Sequence, residues 1–482
     1  MLFNSLGYAI FLPIVFFVYW FVTNNKLVVQ NVFLLSASYF FYACWDWRFL
    51  FLLMFSTLLD FVTGIKIAES EKRSKRLFWF WLSISINVGF LGLFKYYNFF
   101  ATSFAAAVGH LGFQVNPWTL KVILPVGISF YTFHGLSYVI DIYKKRIPAE
   151  RNFVDYALFV SFFPLLVAGP IERATHLLPQ IKKPRTFQYD RAVDGLKQIL
   201  WGLFKKIVIA DTCARYVNLV FNNAGSFPGS AHVLAALFFA LQIYCDFSGY
   251  SDIALGTARL LGIDLLRNFA FPYFSRDIAE FWRRWHISLS SWFRDYLYIP
   301  LGGSKVGAWK KIRNVFIIFL VSGFWHGANW TFIFWGGLNA LFILPSVIFK
   351  TNRNNIDIVA QGRLLPTARE FVSMFGTFCL TVFAWIFFRA ASLGAAIRFI
   401  EGIFSRSLFS PVPRDTTLKL SFIVPLVLFV LIEWTGREEQ YAIAGLGVRW
   451  PRVARWAAFY TLFFYITYFM TGGSQTFIYF QF

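Results

Sequence analysis

The stretch Val315–Leu344, VFIIFLVSGFWHGANWTFIFWGGLNALFIL, contains no Asp, Glu, Lys or Arg, and it carries one histidine, His326, near its middle. The apolar run Val315–Val321 precedes the histidine and Thr331–Leu344 follows it. Long uncharged apolar stretches are typical of membrane-embedded helices. An ionisable residue inside such a stretch is by default a candidate for function.

The composition of the whole chain agrees with a membrane setting. Of 482 residues, 58% are hydrophobic and 14% are charged, and the mean hydropathy is +0.57. Soluble domains carry about 25% charged residues, so the bilayer is the simplest solvent for this chain. The net charge of +21 comes from short basic stretches between apolar runs. That distribution is typical of the positive-inside rule and does not indicate nucleic-acid binding.

The apolar runs predict an all-α polytopic membrane protein with about 10–12 transmembrane or reentrant helices. A single domain, 1–482, is expected, with N-terminal helices in 1–152, a motif-bearing core in 153–349 and C-terminal helices in 350–482. The candidate segments are Tyr8–Val22, Val28–Ala43, Phe49–Ile65, Leu77–Phe94, Val122–Ile142, Phe153–Val167, Ala231–Leu261, Val315–Ser322, Thr331–Phe349, Phe371–Phe388, Phe422–Glu433 and Trp456–Met470.

Basic residues predict the orientation of the first segments. Lys26, Lys66–Arg76 and Lys144–Arg151 are expected on the cytoplasmic side, which places Met1 outside. The first apolar run has neither a basic n-region nor a small-residue cleavage site, so it is interpreted as a retained span. Further along, Gly195–Ala210 suits an interfacial amphipathic helix, and the basic segment Arg389–Lys419 cannot be placed.

Two histidines are candidate catalytic residues. His326 is flanked by Gly323 and Gly327, which allow backbone or a ligand to approach closely. Residue chemistry alone leaves open whether it is a catalytic group or a buried histidine that holds two aromatic helices together. His286 follows Arg283 and Arg284 at a predicted interface, where a structural or headgroup contact is the favoured interpretation.

Carboxylates in apolar surroundings form a second group of candidates. Asp246 and Asp252 are predicted either to line a polar cavity or to pair with Arg283, Arg284 or Arg294, and the two interpretations are compatible. Glu172 and Arg173 follow Gly169-Pro170, a helix-breaking pair. A helix end with a salt bridge is the favoured interpretation there.

The sequence lacks the motifs of several common classes of enzyme and transporter. The sequence contains no GxxxxGK[ST] loop, no GxSxG elbow and no HExxH pair, and its four cysteines form no CxxC pair. ATP-driven transport, an α/β-hydrolase site and a zinc protease site are therefore unsupported. No bound metal is expected.

The motifs together resemble the membrane-bound O-acyltransferase family, most closely its alginate O-acetyltransferase-like bacterial members. The matching stretches follow the family's order over essentially the whole chain, and Cys245 is a small departure where an aromatic residue is expected. They are Ala168–Arg173 with Leu178-Pro179-Gln180, Gln242–Asp252, Phe281–Gly303, Phe324–Gly337, Phe387–Ala390 and Phe477–Phe482.

The resemblance implies helices arranged around a central funnel, with His326 deep inside it and His286 on the cytoplasmic approach. His326 is then expected to act as general base, and His286 to orient or gate the donor. Trp325, Ser322 or Asn329 could stabilise the oxyanion, and Asp246, Asp252, Arg283 and Arg284 would support the funnel.

The same resemblance implies a cytoplasmic thioester donor, acetyl-CoA or another, and no bound cofactor. The acceptor is expected to be an extracytoplasmic polysaccharide reached from the bacterial inner membrane. Because the chain shows no appended soluble domain, a separate periplasmic acetyltransferase of the SGNH-hydrolase type is expected as partner. D-alanyl transfer, peptidoglycan O-acyl transfer and a transporter or channel without chemistry remain the alternatives.

Overall fold

The structure is a computed structural model that describes residues 1–23, 26–113, 116–120, 123–167, 169–413, 420–448, 450–470, 475, 477 and 478. The described residues form helices and connecting turns, with no β-strand among them. The chain divides into two compact units, Met1–Leu196 with Ala254–Leu266, and Lys197–Ile253 with Arg267–Phe482. Helices α9 and α11, whose bounds are given below, each contribute residues to both units.

The first unit contains eight numbered helices and the beginning of a ninth. Two π-helical segments, Val18–Val22 and Gly92–Tyr96, extend the first and third of them. The helices are α1 (Leu6–Phe17), α2 (Leu27–Glu69), α3 (Arg73–Leu91), α4 (Tyr97–Gly109), α5 (Ile128–Tyr143), α6 (Phe153–Ser161), α7 (Phe163–Leu166), α8 (Ala174–Ile181) and α9 (Tyr189–Leu203).

Helix α2 holds two of the predicted segments. Its backbone turns at Asp46, whose φ of −158° and ψ of 109° are extended rather than helical. The predicted segments Val28–Ala43 and Phe49–Ile65 lie on the two sides of this kink. At 43 residues, α2 is roughly twice the length that a single crossing needs, so the kink separates two arms of membrane-spanning length.

The second unit contains the remaining helices and the motif-bearing stretches. Two further π-helical segments, Phe204–Ala210 and Arg294–Tyr298, lie in it. Its helices are α10 (Asp211–Asn222), α11 (Gly229–Leu260), α12 (Ile278–Arg284), α13 (Ile287–Phe293), α14 (Ala308–His326), α15 (Trp330–Ile348), α16 (Ala368–Arg389), α17 (Leu393–Ile403), α18 (Leu420–Thr435) and α19 (Arg452–Met470).

Helices of membrane-spanning length confirm a polytopic membrane protein. Within the described ranges, five helices are long and apolar enough to cross a bilayer: Leu27–Glu69, Arg73–Gly109, Gly229–Leu260, Trp330–Ile348 and Ala368–Arg389. By contrast, α12 and α13 have seven residues each, about 10 Å of helix, which is too short to cross. The predicted number of crossings and the central funnel stay predictions.

Glycines allow helices α14 and α15 to pack closely against each other. A Cβ on Gly336 would collide with the carbonyl oxygen of Phe319, and one on Gly323 with the carbonyl oxygen of Phe332. A Cβ on Gly337 would make ordinary contact, 3.7 Å from a Leu320 methyl carbon. Small residues let membrane helices approach closely, and this approach brings the two halves of the Val315–Leu344 stretch together.

We expect Gly336→Ala to lower the thermal stability of the detergent-solubilised protein by several degrees, because the methyl group forces the two backbones apart. Gly337→Ala, one position along the same helix, is the matched control and is expected to leave the melting temperature within about one degree. Fluorescence-detected size-exclusion chromatography after heating measures both. Equal melting temperatures for the two variants would contradict the close packing.

Candidate active site

His326 is the last residue of α14, and its side chain is 3% exposed. Its ring centroid lies 4.9 Å from that of Trp325, 5.2 Å from that of Trp335 and 5.3 Å from that of Phe388, and all three contacts are edge-on. The imidazole therefore lies inside an aromatic cluster built by α14, α15 and α16.

His286 joins the same cluster from a different element. It lies between α12 and α13 in a left-handed conformation, with φ of 43° and ψ of 55°, and it is 1% exposed. Its ring contacts Phe247 at a centroid distance of 4.7 Å and Trp325 at 6.0 Å. The indole of Trp325 thus contacts both predicted histidines, and the structure brings the two together.

Asn268, which the sequence motifs did not reveal, positions the helix after His286. Its carbonyl accepts from the backbone N–H of Ile287 at 2.8 Å, and its side-chain Oδ1 accepts from the hydroxyl of Ser288 at 2.6 Å. Its Nδ2 donates to Ser251 on α11 at 3.0 Å. A buried amide with all of these partners holds α13 against α11 and fixes the backbone at His286.

The three candidate oxyanion donors differ in what they already bind. Asn329 caps α15, since its Oδ1 accepts from the N–H of Thr331 at 3.0 Å, while its Nδ2 donates to the carbonyl of Ala391 at 3.1 Å. This side chain is engaged at both ends. Ser322 is 7% exposed and Trp325 is 5% exposed, and both lie on α14 within one turn of His326.

Asp246 and Asp252 pair with lysines, so the predicted arginine partners are wrong. Lys206 Nζ lies 2.8 Å from Asp246 and 2.8 Å from Asp211, and Lys205 Nζ lies 2.6 Å from Asp252. Lys205 also donates to Ser248, and Gln198 donates to Asp252. The pair of Asp246 with Lys206 is buried, whereas Asp252 in its pair with Lys205 is 14% exposed.

The interfacial amphipathic helix predicted for Gly195–Ala210 is also wrong. Lys205 is 3% exposed and Lys206 is fully buried, in a π-helical segment, Phe204–Ala210, that follows α9. Gly202 and Gly249 permit the close approach, because a Cβ on either would lie 2.6–2.8 Å from the carbonyl oxygen of the other. The lysines therefore face carboxylates on α11, a contact between distant segments that periodicity in one helix cannot reveal.

Arg283 and Arg284 secure the loop that follows α15. Arg283 donates to the carbonyls of Asn352 and Asn355, both at 2.6 Å. Arg284 pairs with Glu280 at 2.7 Å and donates to the carbonyl of Asp357 at 2.9 Å. The remaining predicted arginine, Arg294, pairs with its neighbour Asp295 at 2.8 Å. The side chains of Arg283 and Arg284 therefore serve the structure of the loop rather than the aspartates of α11.

Glu172 forms a salt bridge near the beginning of α8, with a histidine that the sequence analysis did not name as its partner. Its Oε2 lies 2.9 Å from His176 Nδ1, one turn along α8, and its backbone N–H donates to His134 at 3.1 Å. The hydrogen bond that His176 donates to this carboxylate raises the pKa of the histidine, against a smaller opposing effect of burial. Ala168, the first residue of this motif, and Tyr479–Phe482 of the terminal motif lie outside the described residues.

Glu433 is a further buried carboxylate that the sequence analysis did not single out. It accepts from the Tyr244 hydroxyl at 2.6 Å and from Trp201 Nε1 at 3.2 Å, and it borders an apolar cavity of about 250 Å³. A lone Glu at the end of the apolar run Phe422–Glu433 was the available signal. Among the described residues, no three His, Cys, Asp or Glu side chains are grouped as metal ligands.

A comparison of the sequence with known protein families agrees with this fold and this candidate site. Residues 142–389 match the family described as MBOAT, membrane-bound O-acyltransferase family. This chain belongs to the membrane-bound O-acyltransferase family, and it is a multi-pass membrane O-acyltransferase.

Individual members of the family differ in how much of this chain they match. The chain is 36% identical over 473 residues to a protein named probable alginate O-acetylase AlgI of Pseudomonas putida, covering 94% of both chains. It is 36% identical to the peptidoglycan O-acetyltransferase of Helicobacter pylori, covering 84% of this chain and 80% of that one. The teichoic acid D-alanyltransferase of Bacillus subtilis is 29% identical, covering 45% of this chain and 58% of the other.

Proposed function

We propose that this enzyme moves an acetyl group from a cytoplasmic thioester, acetyl-CoA or another, to a hydroxyl of an extracytoplasmic polysaccharide. The names of the relatives that align over most of the chain, alginate O-acetylase and peptidoglycan O-acetyltransferase, support acetyl as the group transferred. The D-alanyl relatives align over about half of the chain. Acetyl transfer is therefore the favoured chemistry, with peptidoglycan kept as an alternative acceptor.

The observation that carries the mechanism is the contact of both histidines with Trp325. His326 accepts the proton of the acceptor hydroxyl, whose oxygen then attacks the thioester carbonyl. The carbon–sulfur bond breaks as the ester forms, and the thiolate takes up the proton. His286, which contacts the same Trp325 indole, orients the donor. A Trp325 indole N–H or the Ser322 hydroxyl stabilises the oxyanion, since the Asn329 amide is engaged in capping.

The distribution of charge supports an extracytoplasmic position for the His326 end of helices α14–α16. The opposite end of these helices is rich in basic residues, which favours the cytoplasmic side. These residues are Lys310, Lys311, Arg313, Lys350, Arg353, Arg363 and Arg369. With this orientation, the donor comes from the basic end and the acceptor from the end that carries His326.

In our proposal, a second protein is needed to deliver the acetyl group to the polymer. We propose that the protein lies in the bacterial inner membrane with Met1 outside, and that an SGNH-type acetyltransferase in the periplasm completes the transfer. The family resemblance supports the inner membrane and the partner, and the basic stretches Lys26, Lys66–Arg76 and Lys144–Arg151 support the position of Met1. The two histidines then act on the relay of the acetyl group across the membrane, and the partner determines which hydroxyl of the polymer receives it.

Reconstitution tests the proposal against a transporter. The purified protein is placed in proteoliposomes with acetyl-labelled acetyl-CoA on one side, and with a hydroxyl acceptor and the SGNH-type partner on the other. We expect labelled ester on the acceptor and one free CoA released for each ester formed. His326→Gln proteoliposomes are the matched control and should form none. Label that crosses without ester formation or CoA release would identify a transporter and overturn the proposal.

A further inference from the structure

The geometry points to a second binding site in this enzyme: the apolar cavity that Glu433 borders takes one acyl chain of a membrane phospholipid. This cavity, called here the α16–α18 cavity, has a volume of about 250 Å³ and lies within the second unit. Its walls come from α11, α16, α18 and residues 271–274. The inference goes beyond the proposed function, because it concerns neither the acyl donor nor the acceptor.

The mouth of the α16–α18 cavity lies on the surface that faces lipid. Phe371 and Phe375 on α16 and Val430 on α18 line the cavity, and all three side chains are exposed. Helix α16 is long and apolar enough to cross a bilayer, so the side chains exposed along it contact lipid chains. The cavity is therefore continuous with the interface between the protein and the membrane.

The floor of the α16–α18 cavity is buried. It is formed by Tyr244, Phe271 and Phe429, each of which is at most 5% exposed. Phe271 has a left-handed backbone with φ of 52°, and strained backbone of this kind is typical of ligand sites. Lipid around the protein cannot touch these three residues unless a chain enters the cavity.

Three polar side chains among the described lining residues are already engaged by protein partners. Glu433 accepts from the Tyr244 hydroxyl at 2.6 Å and from Trp201 Nε1 at 3.2 Å. The Tyr273 hydroxyl donates to the carbonyl of Ala240 at 2.6 Å. A buried water molecule needs about three polar partners. The cavity therefore suits hydrocarbon better than water.

A cavity of this kind is filled where hydrocarbon is at hand. Atoms that border a void lose their dispersion contacts on that side, and an apolar cavity of about 150 Å³ inside a protein is large enough to bind benzene. The α16–α18 cavity is larger and opens on phospholipid chains. Met374, which also lines it, is flexible enough to adapt to the shape of a chain.

The wall of the α16–α18 cavity continues into the aromatic rings beside the candidate active site. Phe378 and Tyr273 line the cavity, and their ring centroids are 5.2 Å apart. Tyr273 contacts Trp285 at 6.1 Å, and Trp285 contacts Trp385 at 5.0 Å. Because Trp285 directly precedes His286, a chain bound in the cavity supports the packing that holds this histidine.

Photocrosslinking tests the inference separately from catalysis. The full chain is placed in phosphatidylcholine nanodiscs that contain a phospholipid with a diazirine near the end of one acyl chain. After irradiation, peptide mass spectrometry maps the labelled residues. We expect label on Phe271 and Phe429, because a bound chain reaches the floor of the cavity. Leu341, an exposed residue of α15, contacts the surrounding lipid and normalises the signal.

Val430→Trp is the decisive variant, because the indole fills the mouth of the cavity. We expect it to lower the labelling of the floor at least about fivefold relative to Leu341. Val427→Trp adds the same ring to another exposed valine of α18, one that does not line the cavity. This matched control should keep the wild-type labelling. Val430→Phe introduces a smaller ring and provides the same comparison if the tryptophan variant does not fold.

Two outcomes would overturn the inference. The first is floor labelling that is absent from the wild type, or that is as strong in the Val430 variant as in Val427→Trp. The second is floor labelling by a diazirine-bearing polyprenyl phosphate and not by the phospholipid, which would assign the cavity to an isoprenoid chain. Neither outcome would affect the acetyl transfer assigned to His326, because these measurements do not depend on turnover.

Discussion

We expect His326→Gln to abolish detectable acetyl transfer. The variant should insert into the membrane and fold as the wild type does. Loss of a general base costs about 10²–10⁴-fold in rate, and an amide of similar shape fills the space among Trp325, Trp335 and Phe388 without accepting the proton. Surface-glycan acetylation in a deletion strain complemented with the variant measures activity. The amount of protein in the membrane and its melting temperature measure folding.

Two further variants make this test specific. His326→Ala is expected to lose activity as well, but with a lower melting temperature because it leaves a cavity in the aromatic cluster. His110→Ala removes an exposed histidine that ends up outside the cluster, and it should retain full activity and stability. Wild-type acetylation by a well-folded His326→Gln would show that the ring only packs, and the assignment of a base to this position would be withdrawn.

Lys206→Met is expected to reduce the stability of the protein by about 3–5 kcal/mol, because it leaves buried carboxylates without their counter-charge. The lysine is shared, with 2.8 Å contacts to both Asp246 and Asp211. Asp246→Asn should therefore cost less, since Lys206 keeps Asp211 as a partner. Thermal unfolding of the solubilised variants ranks the two effects, and the yield of monodisperse protein provides a second measure.

Lys197→Met is the matched control for this comparison. Lys197 lies on α9 and is only partly buried, with its ammonium 5.9 Å from the ring centroid of Phe459. We expect a loss below about 1 kcal/mol for this variant. If Lys206→Met were no more harmful than Lys197→Met, the ion pairs around Lys206 would contribute little, and the view of this network as a structural element would be wrong.

The lengths of the apolar runs predicted the helices well where no charged residue interrupted the run. The kink of α2 at Asp46 separates the two segments that hydropathy had distinguished, because a charged residue interrupts the apolar run at that point. For α14 the predicted segment, Val315–Ser322, was too short at both ends. The structure begins the helix at Ala308 and includes Lys310, Lys311 and Arg313. Long basic side chains are compatible with a helix end near the membrane surface.

Pairing between distant segments explains what the sequence analysis missed. Lys205 and Lys206 follow one helix, and Asp246 and Asp252 lie on another some forty positions later. The spacing of residues along one helix predicts which of them share a face of that helix. It does not predict which other segment packs against that face. The same holds for Asn268 and Glu433, whose partners lie on other helices. His326 was singled out because ionisable residues are rare in apolar stretches, a property of that position by itself, whereas the role predicted for His286 came from the family resemblance.

The backbone at His286 has a consequence for which residues this position can accept. A positive φ disfavours most side chains by about 1–2 kcal/mol, with glycine as the common exception. Glycine would relieve this strain, but it would also leave a cavity beside Phe247 and Trp325, because the imidazole is buried against both rings. Packing of the ring therefore outweighs the strained backbone, and we expect neither glycine nor a small side chain to replace His286 without loss of stability.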